Sequence, residues 1–402
     1  MSFDTRNRSP HARQLLPRHT VQALTASPIR ELANAAMGRE DVLPFWFGES
    51  DQPTARFIRH AAMESISHGE TRYTQNLGRP YLRHGIAEYL SQLHDTPIGM
   101  DRVAVTPSGV SGVMLAAQLL LEPGDHVVAI TPLWPNLTEI PAILGARVSR
   151  FALSVIDGKW SLDVERLLQT LSSDTRMLLL NSPNNPTGWT IREDEIASIL
   201  HHCRQHGIWI LCDDVYERLL YDLSNTSAPS FLRHYVAGDR ILSINSFSKA
   251  WSMTGWRIGW LVAPPELMDD LAKLIEFNSS CVLEPIQRAA MTALLDGENE
   301  VAVLRQRLAR TRTLLVDQLK SIDAIELPDA GGAMYVFFRI EGHPDSMVLA
   351  RQLVNRVGLG LAPGNAFGPE ANGWLRWCHA IDPQRLQDGV QRLRQFLDHP
   401  PL

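Results

Sequence analysis

Five short apolar runs, spaced by stretches of helical periodicity, constrain this chain more than any other feature. They fall at 102–106, 127–130, 177–180, 208–212 and 241–244 and are four or five residues long. A strand with one wet face alternates apolar and polar residues, whereas a strand covered on both faces reads as a nearly continuous apolar run. Such runs separated by helices predict a mostly parallel sheet with helices packed on both sides. The intervening helices carry their own punctuation. Thr190 and Glu193 have the T-x-x-E spacing of a capping box. Ile196, Ile199, Leu200 and Cys203 follow at offsets 0, 3, 4 and 7, one helical face, and Gly207 is placed to stop that helix. Further on, Leu304, Leu308, Leu315 and Leu319 form a long stripe. Pro383 sits at a first-turn position before Leu386, Val390, Leu393 and Leu397. The fold class expected is therefore α/β, with a large sheet-and-helix domain at 50–285. A smaller α+β domain combines part of residues 1–49, which begin with an Arg-, His- and Pro-rich arm, with residues 286–402.

Composition narrows the functional classes. A chain of 402 residues suits two or three structural units at ~150 residues each. With 45% hydrophobic and 20% charged residues it is no disordered polymer. Its formal charge of −6 lacks the basic footprint of a nucleic-acid binder. Cys203, Cys212, Cys281 and Cys378 are far apart and form no CxxC pair, so a disulfide framework and a zinc site are both unexpected. No metal site is expected. The first residues lack the apolar core of a secretory signal, and no apolar run is long enough for a membrane span. The expected location is cytoplasmic. The glycosylation-like triplets at Asn136, Asn225 and Asn278 are then chance matches.

The chemistry is concentrated where the apolar runs end. Ser246-Phe-Ser248-Lys249 comes directly off the fifth run, and Arg257 follows Lys249 by eight residues. A lysine between small and apolar residues loses hydration, its pKa falls, and it becomes a nucleophilic amine fit for Schiff-base chemistry. A nearby second cation could hold a phosphate. Asn181-Ser-Pro-Asn-Asn185-Pro-Thr-Gly188 ends the third run in turn-forming residues. Asp213-Asp214-Val-Tyr216 ends the fourth, at the sheet edge where open α/β folds place ligands. Ser108-Gly109-Val110 joins the first run to an apolar helix, so that backbone amides at a helix N-terminus could meet an anion. Pro132-Leu-Trp134-Pro-Asn follows the second run.

Taken in order, these strings resemble the fold-type I, pyridoxal-phosphate-dependent aminotransferases of class I and II, the aspartate aminotransferase superfamily. The resemblance runs from Gly48 to Arg376, and Ser-Phe-Ser-Lys-Ala-Trp-Ser-Met-Thr-Gly-Trp-Arg is its most specific part. It implies pyridoxal 5'-phosphate as cofactor and Lys249 as the catalytic lysine that carries it. By the same resemblance Ser246, Ser248 and Arg257 hold its phosphate with Ser108 and the amides of Gly109 and Val110. Trp134 stacks on the ring, Asn185 and Tyr216 meet its phenolic oxygen, and Asp213 pairs with its ring nitrogen. Tyr73 corresponds to a residue that reaches the phosphate of a neighbouring subunit, implying a homodimer with composite sites. Gly48 and Arg376 correspond to contacts with the substrate carboxylate, with Trp134 and Asn185 alongside.

The implied activity is ping-pong transfer of an amino group between an L-amino acid and a 2-oxo acid. Elimination, cyclisation or oxidation of an amino acid on the same scaffold is the alternative. A non-catalytic regulator that binds the cofactor is disfavoured, because the residues before Gly48 contain no helix-turn-helix pattern. A nicotinamide dehydrogenase lacks its glycine fingerprint, since Gly358-Leu-Gly360 has no third glycine. His201 and His202 are expected at the surface, and His379 is expected to be structural. No cation follows Gly109 and Val110, unlike one aspartate-specific subgroup. Phe45, Trp46 and Phe47 could line an aromatic pocket or belong to the core.

Overall fold

The computed structural model describes residues 17–399, so the start of the N-terminal arm lies outside the described residues. Seven strands form the main sheet: β1 (Val103–Thr106), β2 (His126–Thr131), β3 (Arg147–Ala152), β4 (Thr175–Asn181), β5 (Trp209–Asp213), β6 (Ile241–Ser246) and β7 (Gly259–Val262). Their order is β1-β7-β6-β5-β4-β2-β3. The pairs β2–β3, β2–β4, β4–β5 and β5–β6 are parallel. Only β7 runs against its neighbours β6 and β1. Each apolar run thus became a strand, shifted by a residue or two at its ends.

The two strands absent from the sequence reading have physical reasons to be hard to see. β3 is an edge strand whose residues are mostly half-exposed. β7 begins with a glycine because a Cβ on Gly259 would sit 2.5 Å from the Asn245 carbonyl oxygen and 2.8 Å from the Gly109 nitrogen. A strand of Gly-Trp-Leu-Val inserted that tightly has no alternation to announce it.

Helices cover both faces. α1 (Pro28–Ala35), α2 (Gly109–Leu120) and α3 (Glu193–His206) are the ones that bear on the site or on the sequence reading. Val113, Ala116, Ala117 and Leu120 of α2 pack against Ala104, Ile244 and Leu261 of the sheet. A Leu→Ala change in such a layer costs about 2–5 kcal/mol. The start of α3 corrects the sequence expectation. Thr190 and Glu193 are not its capping box, because the helix begins at Glu193 itself. Glu195 reaches back instead, its Oε2 accepting from the Arg192 backbone N–H at 2.8 Å. The Thr190 hydroxyl serves the preceding loop, donating to the Gly188 carbonyl. Ile196, Ile199, Leu200 and Cys203 are buried, and Gly207 closes the helix with a φ of 66°.

A second, four-stranded sheet includes β8 (Tyr335–Ile340) and β9 (Trp374–Cys378), paired antiparallel with Phe337 opposite Arg376. The N-terminal segment returns to it. Leu43–Pro44 pairs in parallel with Leu359–Gly360. Leu32 and Phe45 share one core with Leu315, Leu319, Trp377, Leu386, Val390 and Leu393. The stripe after Pro383 faces that core, as do Leu315 and Leu319 of the earlier stripe, whereas Leu304 and Leu308 pack with Tyr216 and Tyr335. The chain's early segment is consequently carried across the carboxyl edge of the main sheet.

Candidate active site

The carboxyl ends of β4, β5 and β6, adjacent in the sheet, set Asn181 opposite Asp213 and carry Ser246 two residues past Ile244, the partner of Asp213. They open into a cavity of about 270 Å³. Asn181 works as a brace. Its Nδ2 donates to the Asp213 carbonyl at 2.8 Å, and its Oδ1 accepts from the Asn185 backbone N–H at 2.7 Å. The turn that follows is drawn tight by Asn184, whose Oδ1 accepts from both the N–H and the hydroxyl of Thr187.

Ser246 ends β6 and caps the four-residue helix Phe247–Ala250, its Oγ accepting from the Ser248 N–H at 3.0 Å. Phe247 is fully buried between Trp251 and Trp260, which pins this turn to the core. Lys249 is thereby aimed into the cavity, where its Nζ donates to the Gly48 carbonyl at 2.6 Å. Burial brings its amine down to about 8, and the Arg376 guanidinium pushes the same way. Asp213 is 4% exposed, and among the described residues its carboxylate accepts only from the Val215 N–H, at 3.3 Å. Burial pushes its carboxyl up to about 7, against the pull of Val215 and Lys249.

The adjacent Asp214 has another fate. It does not line the cavity. Its Oδ2 accepts from the Ser243 hydroxyl at 2.6 Å, and burial, reinforced by the Glu217 carboxylate, holds its carboxyl well above the ordinary range. Successive residues leave a strand on opposite sides, so one carboxylate serves the cavity and the other the interior.

On the far side, Arg376 rises from β9 and is 3% exposed. Its Nη1 donates to Asn185 Oδ1 at 2.7 Å and its Nη2 to the Trp46 carbonyl, while its buried Nε has no partner among the described residues. At the remaining end, Gly109 and Val110 open α2, with Ser108 as N-cap accepting from the Ser111 N–H. Arg257 lines the same end with a left-handed φ of 54°, a strained conformation for a non-glycine residue. Its only hydrogen bond among the described residues goes to the Thr254 carbonyl at 2.8 Å.

A buried amine opposite a buried carboxylate, a helix N-terminus beside an unpaired guanidinium, and a forked arginine across the opening can together handle an amine, a carboxylate and an anion. Residues 40–393 match the family model for aminotransferase class I and II. The chain belongs to that family. An aspartate aminotransferase of Pyrococcus horikoshii is 31% identical over 381 residues, 94% of this chain and 96% of that protein. A probable N-acetyl-LL-diaminopimelate aminotransferase of Bacillus subtilis is 29% identical over 94% of each chain. The crystal structure of aspartate aminotransferase from Thermotoga maritima superposes with a TM-score of 0.87 at 29% identity, covering 95% of this chain and all of that one. The fold is fold type I, and the protein is an enzyme that transfers amino groups.

The aminotransferase gathers most of the residues singled out from its sequence around the one cavity. Gly48, Gly109, Val110, Trp134, Asn185, Asp213, Tyr216, Ser246, Ser248, Lys249, Arg257 and Arg376 all line it. Ser108 stands one residue behind, as the helix cap. Tyr73 is elsewhere, 88% exposed and outside its own chain's cavity. Ser27, Ile29, Arg30 and Tyr335 line the cavity without having been singled out. So do Trp46 and Phe47, left open between pocket and core by the sequence, whereas Phe45 is a core residue. Of these only Tyr335 carries a polar signal beside an aromatic run, Tyr-Val-Phe-Phe. His379 is fully buried between the Tyr221 hydroxyl at 3.0 Å and the Thr311 hydroxyl at 3.2 Å, a structural arrangement.

Proposed function

We propose that this aminotransferase holds pyridoxal 5'-phosphate on Lys249 and moves an amino group between an L-amino acid and a 2-oxo acid in two half-reactions. The observation that carries this reading is the pairing of Lys249 and Asp213 in one cavity. Each is a buried ionisable group without a full complement of partners. The residues fit the cofactor at both of its ends. Asp213 offers a carboxylate to a protonated ring nitrogen. Arg257, with the amides of Gly109 and Val110 and the hydroxyls of Ser108, Ser246 and Ser248, offers donors to a phosphate.

When bound, the cofactor supplies an electrophilic carbon and a ring that accepts the electrons left as the substrate loses its α-proton. The protein's part follows from its own groups. Lys249 Nζ, which burial brings down to about 8, would be a nucleophile toward the cofactor's carbon and a base that removes and returns the substrate α-proton. Asp213 would hold a proton on the ring nitrogen, Asn185 Nδ2 and the Tyr216 hydroxyl would donate to the phenolic oxygen, and Trp134 would support the ring face. Arg376 exchanges its bonds to Asn185 and Trp46 for a two-point grip on the substrate carboxylate, with Gly48 allowing close approach.

The protein acts as a homodimer with composite sites, and its location is cytoplasmic. Tyr73 supports the first reading, because so exposed a tyrosine serves no site in its own chain. Met63, Ile66 and Leu283 are exposed apolar side chains on the walls of a separate cavity of about 990 Å³ that also takes in Thr71 and Arg72, next to Tyr73. Such a contiguous apolar surface fits a partner chain. Among the described residues no helix is long and apolar enough to cross a membrane. The test of the reaction is to add single amino acids to the protein loaded with pyridoxal phosphate and follow the visible band. Loss of the band with one equivalent of oxo acid supports transamination. Release of ammonia or consumption of oxygen instead would assign another reaction.

A further inference from the structure

One buried side chain that the proposed chemistry has not used touches three groups of the site at once. Tyr335, the first residue of β8, is 1% exposed. Its hydroxyl lies 2.5 Å from the Tyr216 hydroxyl, with the two rings edge to face at 5.6 Å. The Arg376 guanidinium lies 4.3 Å from the centroid of its ring. It also fills the space over Gly48, where a Cβ would lie 2.8 Å from Tyr335 Cζ, and Gly48 is the residue whose carbonyl holds Lys249 Nζ.

The proton count of the two phenols decides what the pair can do. Each hydroxyl carries one proton and can also accept. Among the described residues each is the other's only hydrogen-bond partner. One proton is therefore consumed between them and one is left to be donated elsewhere. Burial keeps both protons in place, raising Tyr335 to about 12 and Tyr216 well above its ordinary value. If Tyr335 donates to Tyr216, the spare proton belongs to Tyr216. A hydroxyl that accepts one hydrogen bond donates a stronger one.

We propose that Tyr335 is a positioning residue: its hydroxyl donates to Tyr216 so that the Tyr216 proton points at the cofactor's phenolic oxygen, while its ring supports the guanidinium of Arg376. This rests on the cofactor reading above. It assigns one side chain two separable tasks, through the hydroxyl on the cofactor and through the ring on the substrate carboxylate. A hydrogen bond to the phenolic oxygen draws charge from it and loosens its hold on the proton shared with the Lys249 nitrogen. Loss of the Tyr335 hydroxyl therefore tightens that hold.

The experiment titrates the visible band of the protein loaded with pyridoxal phosphate against pH. Tyr335→Phe is expected to move the spectral midpoint up by about half a pH unit or more, a roughly threefold gain in proton affinity. Its KM should stay within about twofold, because the ring under Arg376 remains. The same substitution in a Tyr216→Phe background should add nothing further, since the two hydroxyls act in series. An unchanged midpoint in Tyr335→Phe, or a full-sized shift that persists without the Tyr216 hydroxyl, overturns the proposal. Tyr335→Leu, which removes the ring, should in addition raise KM several-fold. A Leu variant with the KM of the Phe variant overturns the second task. A wild-type protein that acquires no visible band when loaded refutes the cofactor reading instead, so the two failures are distinguishable.

Discussion

The cavity wall made by the main sheet and the wall opposite it are assembled in contrasting ways. The first draws Asn181, Asp213 and Ser246 from the ends of strands that neighbour one another, held in register by the sheet's hydrogen bonds. The second draws Trp46 and Arg376 together across 330 positions of sequence, and Ser27, Gly48 and Tyr335 line the same cavity. A wall fixed by strand register holds groups at set spacings and suits a bound cofactor. A wall made by docking an early segment onto a late sheet suits a substrate that enters and leaves. Substitutions should therefore separate by wall: changes on the sheet side should act on turnover and changes on the far side on KM, except at the Tyr335 hydroxyl, which reaches across to Tyr216 and acts on the cofactor.

The sheet side should show the largest effects. Asp213→Asn is expected to keep bound cofactor but lose about 10²–10³-fold in kcat, because an amide cannot hold the ring-nitrogen proton. Asp214→Asn should stay within about threefold, since it replaces a carboxylate that burial already favours in the neutral form. Steady-state kinetics of the two variants decides the point, and a crippled Asp214→Asn beside a mild Asp213→Asn would break the comparison.

On the opposite wall, Arg376→Lys should raise KM for both amino acid and oxo acid by about 10- to 150-fold, the loss of a charged hydrogen bond at ~1.5–3 kcal/mol. Its kcat should move less. A pure kcat defect would mean that Arg376 belongs functionally with the sheet.

Tyr73 lies outside both walls of its own chain. Tyr73→Ala should weaken activity by about tenfold, one phosphate contact, and Lys249→Ala should abolish it. Mixed dimers of the two would contain one site bearing both lesions and one bearing neither. Subunit exchange should restore activity toward one intact site per mixed dimer. No recovery despite proven exchange would remove the composite-site reading.

The smallest effect is on stability without cofactor. Asp213 goes from 3.8 to about 7 on folding, so folding favours its protonated form. Its contribution is fully present below the unfolded value and is lost as pH rises through about 7. Thermal melts of cofactor-free protein should decline over that window, and Asp213→Asn should flatten the decline. An equally steep decline in the variant would put the titrating group elsewhere.

The same division explains what could be read from the sequence. Doubly buried strands are continuous apolar runs, and a chemical group at a strand's end follows its run by one or two residues. Asn181, Asp213 and Ser246 are thus placed by local inspection, whereas Asn185 and Lys249 lie five residues past their runs and take their roles from the family resemblance. Asp213 could be told from Asp214 by its spacing to Tyr216, which the cavity lining agrees with. The far wall has no such local signature. Ser27 and Arg30 sit on an ordinary amphipathic helix, and Tyr335 looks like one more aromatic in a strand. Only the return of the N-terminal segment to the second sheet, a tertiary event, makes them neighbours. Gly48 and Arg376 are reached only through the family resemblance, and the start of α3 differs from the sequence expectation because two glutamates, Glu193 and Glu195, compete for the capping role.

The proposed chemistry depends on the amine of Lys249, on the short helix that follows β6, carrying the cofactor. The chain has four lysines, and Lys159, Lys273 and Lys320 are exposed, away from the cavity. Borohydride reduction of the loaded protein followed by peptide mapping tests the claim directly. The pyridoxyl label is expected on Lys249, at one per chain. A label on Lys159, Lys273 or Lys320, with Lys249 unmodified, would contradict it.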